Sequence, residues 1–264
     1  MIWLQEVTAL LRQNILGLLL AMGLAGVANA QIAIGNTGVT MTTTLSYGSD
    51  WASRGFSQTR GRLAIQAETE LVHASGLYVG AAISEVRHSA ADTRRGTEIW
   101  GGYRFDLYDF NIDIGTVSYL YSGFSAGASS DMPAFFEGYL KLTRQFGPVQ
   151  VLGQFGFTPN YFGGTGLITY FEAGADWTSG IWDLTLGGRV ALQRIDGTRQ
   201  FNTSGYGWWG GEITREFKIE GIGAIVLSAG YMGAIMAPQD CSSAVNTSLE
   251  VCSQRAMGRI AFQF

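Results

Sequence analysis

The chain has 264 residues, of which 47% are hydrophobic and 14% charged, with a formal net charge of −4. That length fits one domain, and the small acidic balance without any basic stripe excludes a nucleic-acid partner, because nothing would displace counterions from phosphates. After residue 30 no apolar run is long enough to cross a bilayer as a helix. The apolar residues instead alternate with polar ones, which suits strands that present one face to lipid and the other to water.

Residues 1–30 read as an export leader. Asn14 to Val27 (NILGLLLAMGLAGV) is a short apolar stretch, and Ala28-Asn29-Ala30 is a small-residue cleavage site. Glu6 offsets Arg12, so the segment before it carries little positive charge. An uncleaved anchor is the alternative, and the short apolar stretch argues against it. The expected organisation is a cleaved signal peptide over 1–30 and one domain over 31–264, starting at Gln31.

Period-two alternation then predicts strands near 39–48, 61–73, 77–88, 97–107, 109–121, 134–146, 148–159, 167–178, 181–194, 205–217, 222–236 and 254–264. The connections alternate in length. Short ones fall at Ala74-Ser75-Gly76, Tyr108-Asp109, Gly147-Pro148, Ser179-Gly180 and Ile219-Glu220-Gly221. Long ones fall at 49–61, 89–96, 122–133, 159–166, 195–204 and 237–253. Tight periplasmic turns against long external loops are characteristic of outer-membrane barrels. The expected fold is therefore all-β: a transmembrane up-and-down antiparallel β-barrel of about twelve strands. Few prolines interrupt it, only 4, and 37 glycines allow the strands to bend.

The faces of these strands sort by chemistry. Leu63, Ile65, Ala67 and Leu71 share one parity, as do Phe136, Leu140 and Leu142, and Trp182, Leu184, Leu186, Val190 and Leu192. These are expected to face lipid. Glu68, Glu70, Glu98, Arg104, Glu137, Lys141, Glu172, Asp176, Asp183, Arg189, Glu212 and Arg259 are expected to line the lumen, paired across a narrow barrel and setting selectivity. Arg144 and Arg215 break the lipid parity, but both sit near short turns, where a guanidinium can reach headgroups at little cost. Parity slips near Glu85 and near Val117, which predicts a bulge at each. Phe105, Phe110, Phe146, Trp177, Trp182 and Phe217 gather at the short-turn end as an aromatic girdle.

Arg54, Arg60 and Arg62 in the first long loop, Arg87, Arg94 and Arg95 in the second and Arg199 in the fifth are expected at the external rim. They suit lipopolysaccharide phosphates or a funnel for anionic solutes. Ser53–Gln58 (SRGFSQ) is long enough to fold inward as a constriction. Cys241 and Cys252, an even count in an exported chain, are expected to form a disulfide. Neither His73 nor His88 is close to them in sequence, so no metal site is implied, and no cofactor. His88 and the adjacent Ser89 would point to opposite faces of a strand, which disfavours a serine hydrolase. The last strand ends in Ile260, Phe262 and Phe264, an amphipathic aromatic ending of the kind the barrel-assembly machinery recognises.

The mature sequence resembles the TorF-type porin family of proteobacteria. The likeness starts at Leu45 with an S-D-x-x-x-R-G-x-S-Q block containing Arg54, followed by an H-x-S-G-x-Y-x-G hairpin from His73. It continues through Glu98–Tyr103 (EIWGGY), Tyr119–Ser122, Phe136–Tyr139 (FEGY) and Phe157–Gly163 (FTPNYFG) to the closing strand. The chain departs from the pattern before Arg54, where Trp51-Ala52-Ser53 replaces a bulky pair. The resemblance implies a barrel in the Gram-negative outer membrane. The leading expectation is a porin-like, non-enzymatic channel for passive diffusion of small hydrophilic solutes. A closed structural or lipid-interacting barrel is the alternative, and an outer-membrane hydrolase the third.

Overall fold

The computed structural model describes residues 31–88, 93–122, 134–159, 166–196, 204–237, 240–241 and 251–264. The expected leader (1–30) and Arg199 lie outside the described residues. The strands in chain order are β1 (Ile32–Ala33), β2 (Val39–Gly48), β3 (Ala52–Ser53), β4 (Phe56–Ser57), β5 (Ala64–His73), β6 (Leu77–His88), β7 (Thr93–Leu107) and β8 (Phe110–Ser122). They continue with β9 (Phe135–Phe146), β10 (Val149–Thr158), β11 (Leu167–Thr178), β12 (Leu184–Asp196), β13 (Gly205–Ile219), β14 (Gly223–Ile235) and β15 (Arg255–Gln263).

β2 and β5 to β15 form a closed antiparallel barrel of twelve strands, each bonded to its neighbour in sequence. Closure runs through β2, which pairs with β5 on one side and with β15 on the other. Thr43 and Phe264 complete the seam with reciprocal backbone bonds of 2.7 and 2.9 Å. A closed ring leaves no edge whose N–H and C=O groups would lie unbonded in lipid. β1 adds a short extension to β2, and β3–β4 is a separate hairpin from the loop after β2.

The barrel is inverted relative to a water-soluble protein. Ile65 and Leu192 are 57% and 67% exposed on the outer face, whereas Glu137 on the inner face is 1% exposed. Leu140, Leu142, Leu186 and Val190 are likewise exposed, as their parity requires. At the short-turn end the outward aromatics form a band, with Phe110, Phe146, Trp177, Trp182 and Phe217 all exposed. Arg144 lies 5.1 Å from the Phe110 ring and 4.8 Å from Phe146 while donating to Asp109 at 2.8 Å, and Arg215 lies 4.6 Å from Phe217. Both cations sit among interfacial rings next to short turns, so neither has to be dehydrated at mid-membrane.

Three details differ from the sequence reading. The bulge expected near Glu85 is present as a register shift between Glu85 and His88. None occurs at Val117, where β8 pairs without interruption to both β7 and β9. Val117 is simply an apolar residue pointing inward, 8% exposed, so parity is kept and only the chemistry alternates imperfectly. β7 begins at Thr93, so the second long connection shrinks to residues 89–92, and Arg94 and Arg95 lie on a strand. β12 begins at Leu184 because Trp182 and Asp183 adopt positive φ (55° and 53°) in a tight turn closed by Leu184 N–H to Ile181 O. Asp183 is consequently in a turn and leaves the set of inward wall residues.

Cys241 and Cys252 are bonded, with Cα atoms 6.1 Å apart and 11 residues of separation. The cross-link tethers the loop between β14 and β15 at the long-loop end.

Candidate functional site

The loop after β2 turns into the barrel, as the length of Ser53–Gln58 allows. Its tip is the β3–β4 hairpin, in which Ala52 pairs with Ser57 and Ser53 with Phe56. The two residues between, Arg54 and Gly55, have φ of 51° and 83°, the left-handed pair of a type I′ turn. Glycine is required at the second position for more than φ. A Cβ on Gly55 would sit 2.8 Å from Trp208 Cβ and 3.0 Å from Ala234 Cα, so the tip is pressed against the wall made by β13 and β14.

The base of the loop is tied by Asp50. Its carboxylate accepts from Ser57 Oγ (2.7 Å) and Arg255 Nη1 (2.8 Å) and lies 2.5 Å from the Thr59 hydroxyl. Both members of the Asp50–Arg255 pair are nearly buried. Gln58 N–H donates to Trp51 O (2.6 Å), and Arg87 N–H donates to Gln58 O (2.6 Å), so β6 also holds the loop.

The hairpin divides the lumen. On the β11–β14 side, Phe56 meets Tyr206 edge-on at 4.8 Å and packs on the buried cluster of Tyr170, Ala191, Tyr206 and Trp208. There the hairpin packs directly on the wall. Arg54 spans toward β9, donating from Nη2 to Glu137 Oε1 at 2.5 Å, with its guanidinium 4.1 Å from the Tyr170 ring. The pair is sequestered, at 14% and 2% side-chain exposure. Arg54 therefore belongs to the lumen and not to the external rim where the sequence reading placed it: the inward fold of its loop carries it past the mouth. On the β5–β10 side a cavity of about 310 Å³ remains, bounded by Trp51 and Arg54 of the loop and by Glu68, Glu98, Trp100 and Glu137 of the wall.

Two ion-pair groups brace the wall. Arg104 donates to Glu70 (2.7 and 2.9 Å) and to Asp113 (3.0 Å), and stacks 3.8 Å from the Tyr78 ring. Tyr78 donates to Asp113 and shares a 2.6 Å bond with Tyr139, while Trp100 Nε1 donates to Glu70 at 2.9 Å. The Trp100 indole reaches Glu70 by lying over Gly80, where any Cβ would collide with it at 2.3 Å. On the opposite wall Arg189 donates to Asp176 at 2.6 Å and lies 3.9 Å from Glu172, which also accepts from Tyr170. Arg259 sits 3.4 Å from Ser228. Lys141 and Glu212 hold inward register positions, opposite Asp113 and Gly187 respectively.

Of the expected lumen residues, then, Glu68, Glu70, Glu98, Arg104, Glu137, Lys141, Glu172, Asp176, Arg189, Glu212 and Arg259 lie on inward register positions, and Asp183 does not. Asp50, Asp113 and Arg255 were missed. Asp113 alternates with Ile112 and Ile114 and was legible by parity, had Val117 not blurred it. Arg62, Arg87, Arg94 and Arg95 are exposed toward the long-loop end, and Arg60, beside the loop base, is half-buried.

A family model described as "Bacterial protein of unknown function (Gcw_chp)" matches residues 32–254. The chain belongs to this family. The match takes in every barrel strand except the last. No curated protein sequence matches the chain. Among solved structures, the Gcw_chp chain resembles one titled "KdgM porin", with a TM-score of 0.51 and 12% identity over 84% of this chain and 98% of the other. It resembles the "NanC porin" with a TM-score of 0.55 and 9% identity over the same shares. At such identities the likeness concerns the fold.

Proposed function

We propose that this Gcw_chp protein is an outer-membrane, porin-like channel through which small hydrophilic solutes diffuse passively. The observation that carries the reading is the inversion of the barrel around a wet cavity: apolar side chains cover the outside, while charged ones and an infolded loop surround about 310 Å³ of interior space. A pore lined by charges and narrowed by a loop filters solutes by size and sign without chemical turnover. The barrel likeness to the KdgM and NanC porins and the sequence resemblance to the TorF-type porins both support this reading. Exposed Arg62, Arg87, Arg94 and Arg95 then meet lipopolysaccharide phosphates at the outer rim.

Refolded protein in a planar lipid bilayer should give discrete, stepwise openings. Repeated insertions without openings at any voltage would overturn the channel. A closed barrel is the second reading, favoured by the tight packing of Phe56 and Gly55 against the β11–β14 wall. The same recordings separate the two.

A further inference from the structure

The hairpin does more than narrow the lumen, because it packs on one wall and leaves a cavity against the other. Phe56 and Gly55 pack against β11–β14, and across the hairpin from them a cavity lies against β5–β10. Among the described residues the only cation bounding that space is Arg54, and it is paired with Glu137 at 2.5 Å. Arg104, Lys141 and Arg259, inward cations on neighbouring strands, do not line it, and Arg104 is held by Glu70 and Asp113. Besides the paired Glu137, two carboxylates do: Glu68 on β5 and Glu98 on β7, separated in register only by Ala82 of β6. Among the described residues neither takes part in an ion pair or a hydrogen bond, in contrast to Glu70, Asp113, Glu172 and Asp176, which are all neutralised by arginines. Glu68 is exposed although it points inward, so its carboxylate meets the water of the lumen. Trp51 and Trp100 border the same space, and aromatic side chains tolerate organic cations as well as inorganic ones.

We infer that the passage beside the hairpin selects small hydrophilic cations, with Glu68 and Glu98 as its specificity-determining residues and Arg54 excluded from that role by its pairing with Glu137. The inference rests on the channel reading above and gives it a substrate class. It also reverses the sign suggested by the sequence, in which Arg54 counted toward an anion funnel. A carboxylate about 5 Å from a passing monovalent cation raises its local concentration roughly fourfold in water before screening, and lowers that of an anion equally.

The test is the reversal potential of single channels in a KCl gradient, for the wild type and for Glu68→Gln with Glu98→Gln, which keep the side-chain shape. The wild type should show several-fold preference for potassium over chloride. The double variant should lose most of that preference while keeping comparable conductance, and its heat-modifiable migration on gels should show that the barrel has folded. Liposome swelling should likewise be faster with a small amine cation than with a carboxylate anion of equal size. Openings that prefer chloride, or a potassium preference unchanged in the folded double variant, would overturn the inference and leave the channel standing. Absence of openings in the wild type would instead defeat the channel itself, and the inference with it.

Discussion

Replacing Arg54 by alanine tests how the hairpin is held. Glu137 is 1% exposed, and its carboxylate is matched by the Arg54 guanidinium 2.5 Å away. Removing one member of a buried ion pair costs about 3–5 kcal/mol, since the other charge is left buried without its counter-charge. The carboxylate can escape that penalty if the hairpin swings away from β9 and lets water in. The loss therefore falls on hairpin docking and not on the barrel. At about 1.4 kcal/mol per tenfold, even the lower figure shifts the docked-to-undocked ratio by more than about a hundredfold. Single-channel conductance should rise to a larger, noisier level in Arg54→Ala, with little change in the temperature at which the barrel loses its folded migration. Removing both charges, Arg54→Ala with Glu137→Gln, should bring conductance back toward the wild type, because deleting a buried pair together is close to neutral. A conductance in Arg54→Ala equal to the wild type, or a double variant as open as the single one, would refute the latch.

Three further outcomes follow from the same geometry. Phe56→Ala removes a half-buried ring from the Tyr206 and Trp208 cluster and should weaken docking by about 2 kcal/mol, below the range for a fully buried phenylalanine, seen as more frequent large-level openings. Leu140→Arg places a guanidinium on the outer face near mid-strand and should destabilise the barrel by about 2–4 kcal/mol in urea unfolding from lipid, whereas Gln154→Arg, facing the acidic cavity, should cost much less. Cys241→Ser with Cys252→Ser should lower stability by about 2–3 kcal/mol, the loop-entropy value for a closure this short, and leave conductance unchanged.

The barrel was legible in the sequence because its two determinants are local. Period-two alternation places side chains on faces, and turn length alternates along the chain, so all twelve barrel strands appear near their expected bounds. The errors mark where local pattern is not decisive. Val117 is apolar and inward, since a lumen half-filled by a loop tolerates apolar groups, and the missing polarity was read as a bulge. Trp182 and Asp183 carry strand-like parity but are taken by a tight turn. Arg54 was the largest miss. Its sequence position puts it in a long loop, and only the wall opposite, Glu137 with Tyr170, Trp208 and Ala234, draws it inside. No spacing in the chain encodes that contact, which joins residues 83 apart. The position of the cavity, and hence the sign of the charge bordering it, depends on the same long-range packing.

Cysteine scanning across four consecutive residues of β9 tests the inversion of the barrel most directly. In the background lacking Cys241 and Cys252, Leu140→Cys, Lys141→Cys, Leu142→Cys and Thr143→Cys would each be reconstituted in lipid vesicles and treated with a water-soluble, membrane-impermeant thiol reagent. Positions 141 and 143 should react, while 140 and 142 should resist the reagent and, when labelled with a fluorophore, be quenched by brominated lipid tails. Uniform reactivity at all four positions, or reaction at 140 and 142 in place of 141 and 143, would contradict a barrel with oily walls outward and a wet interior.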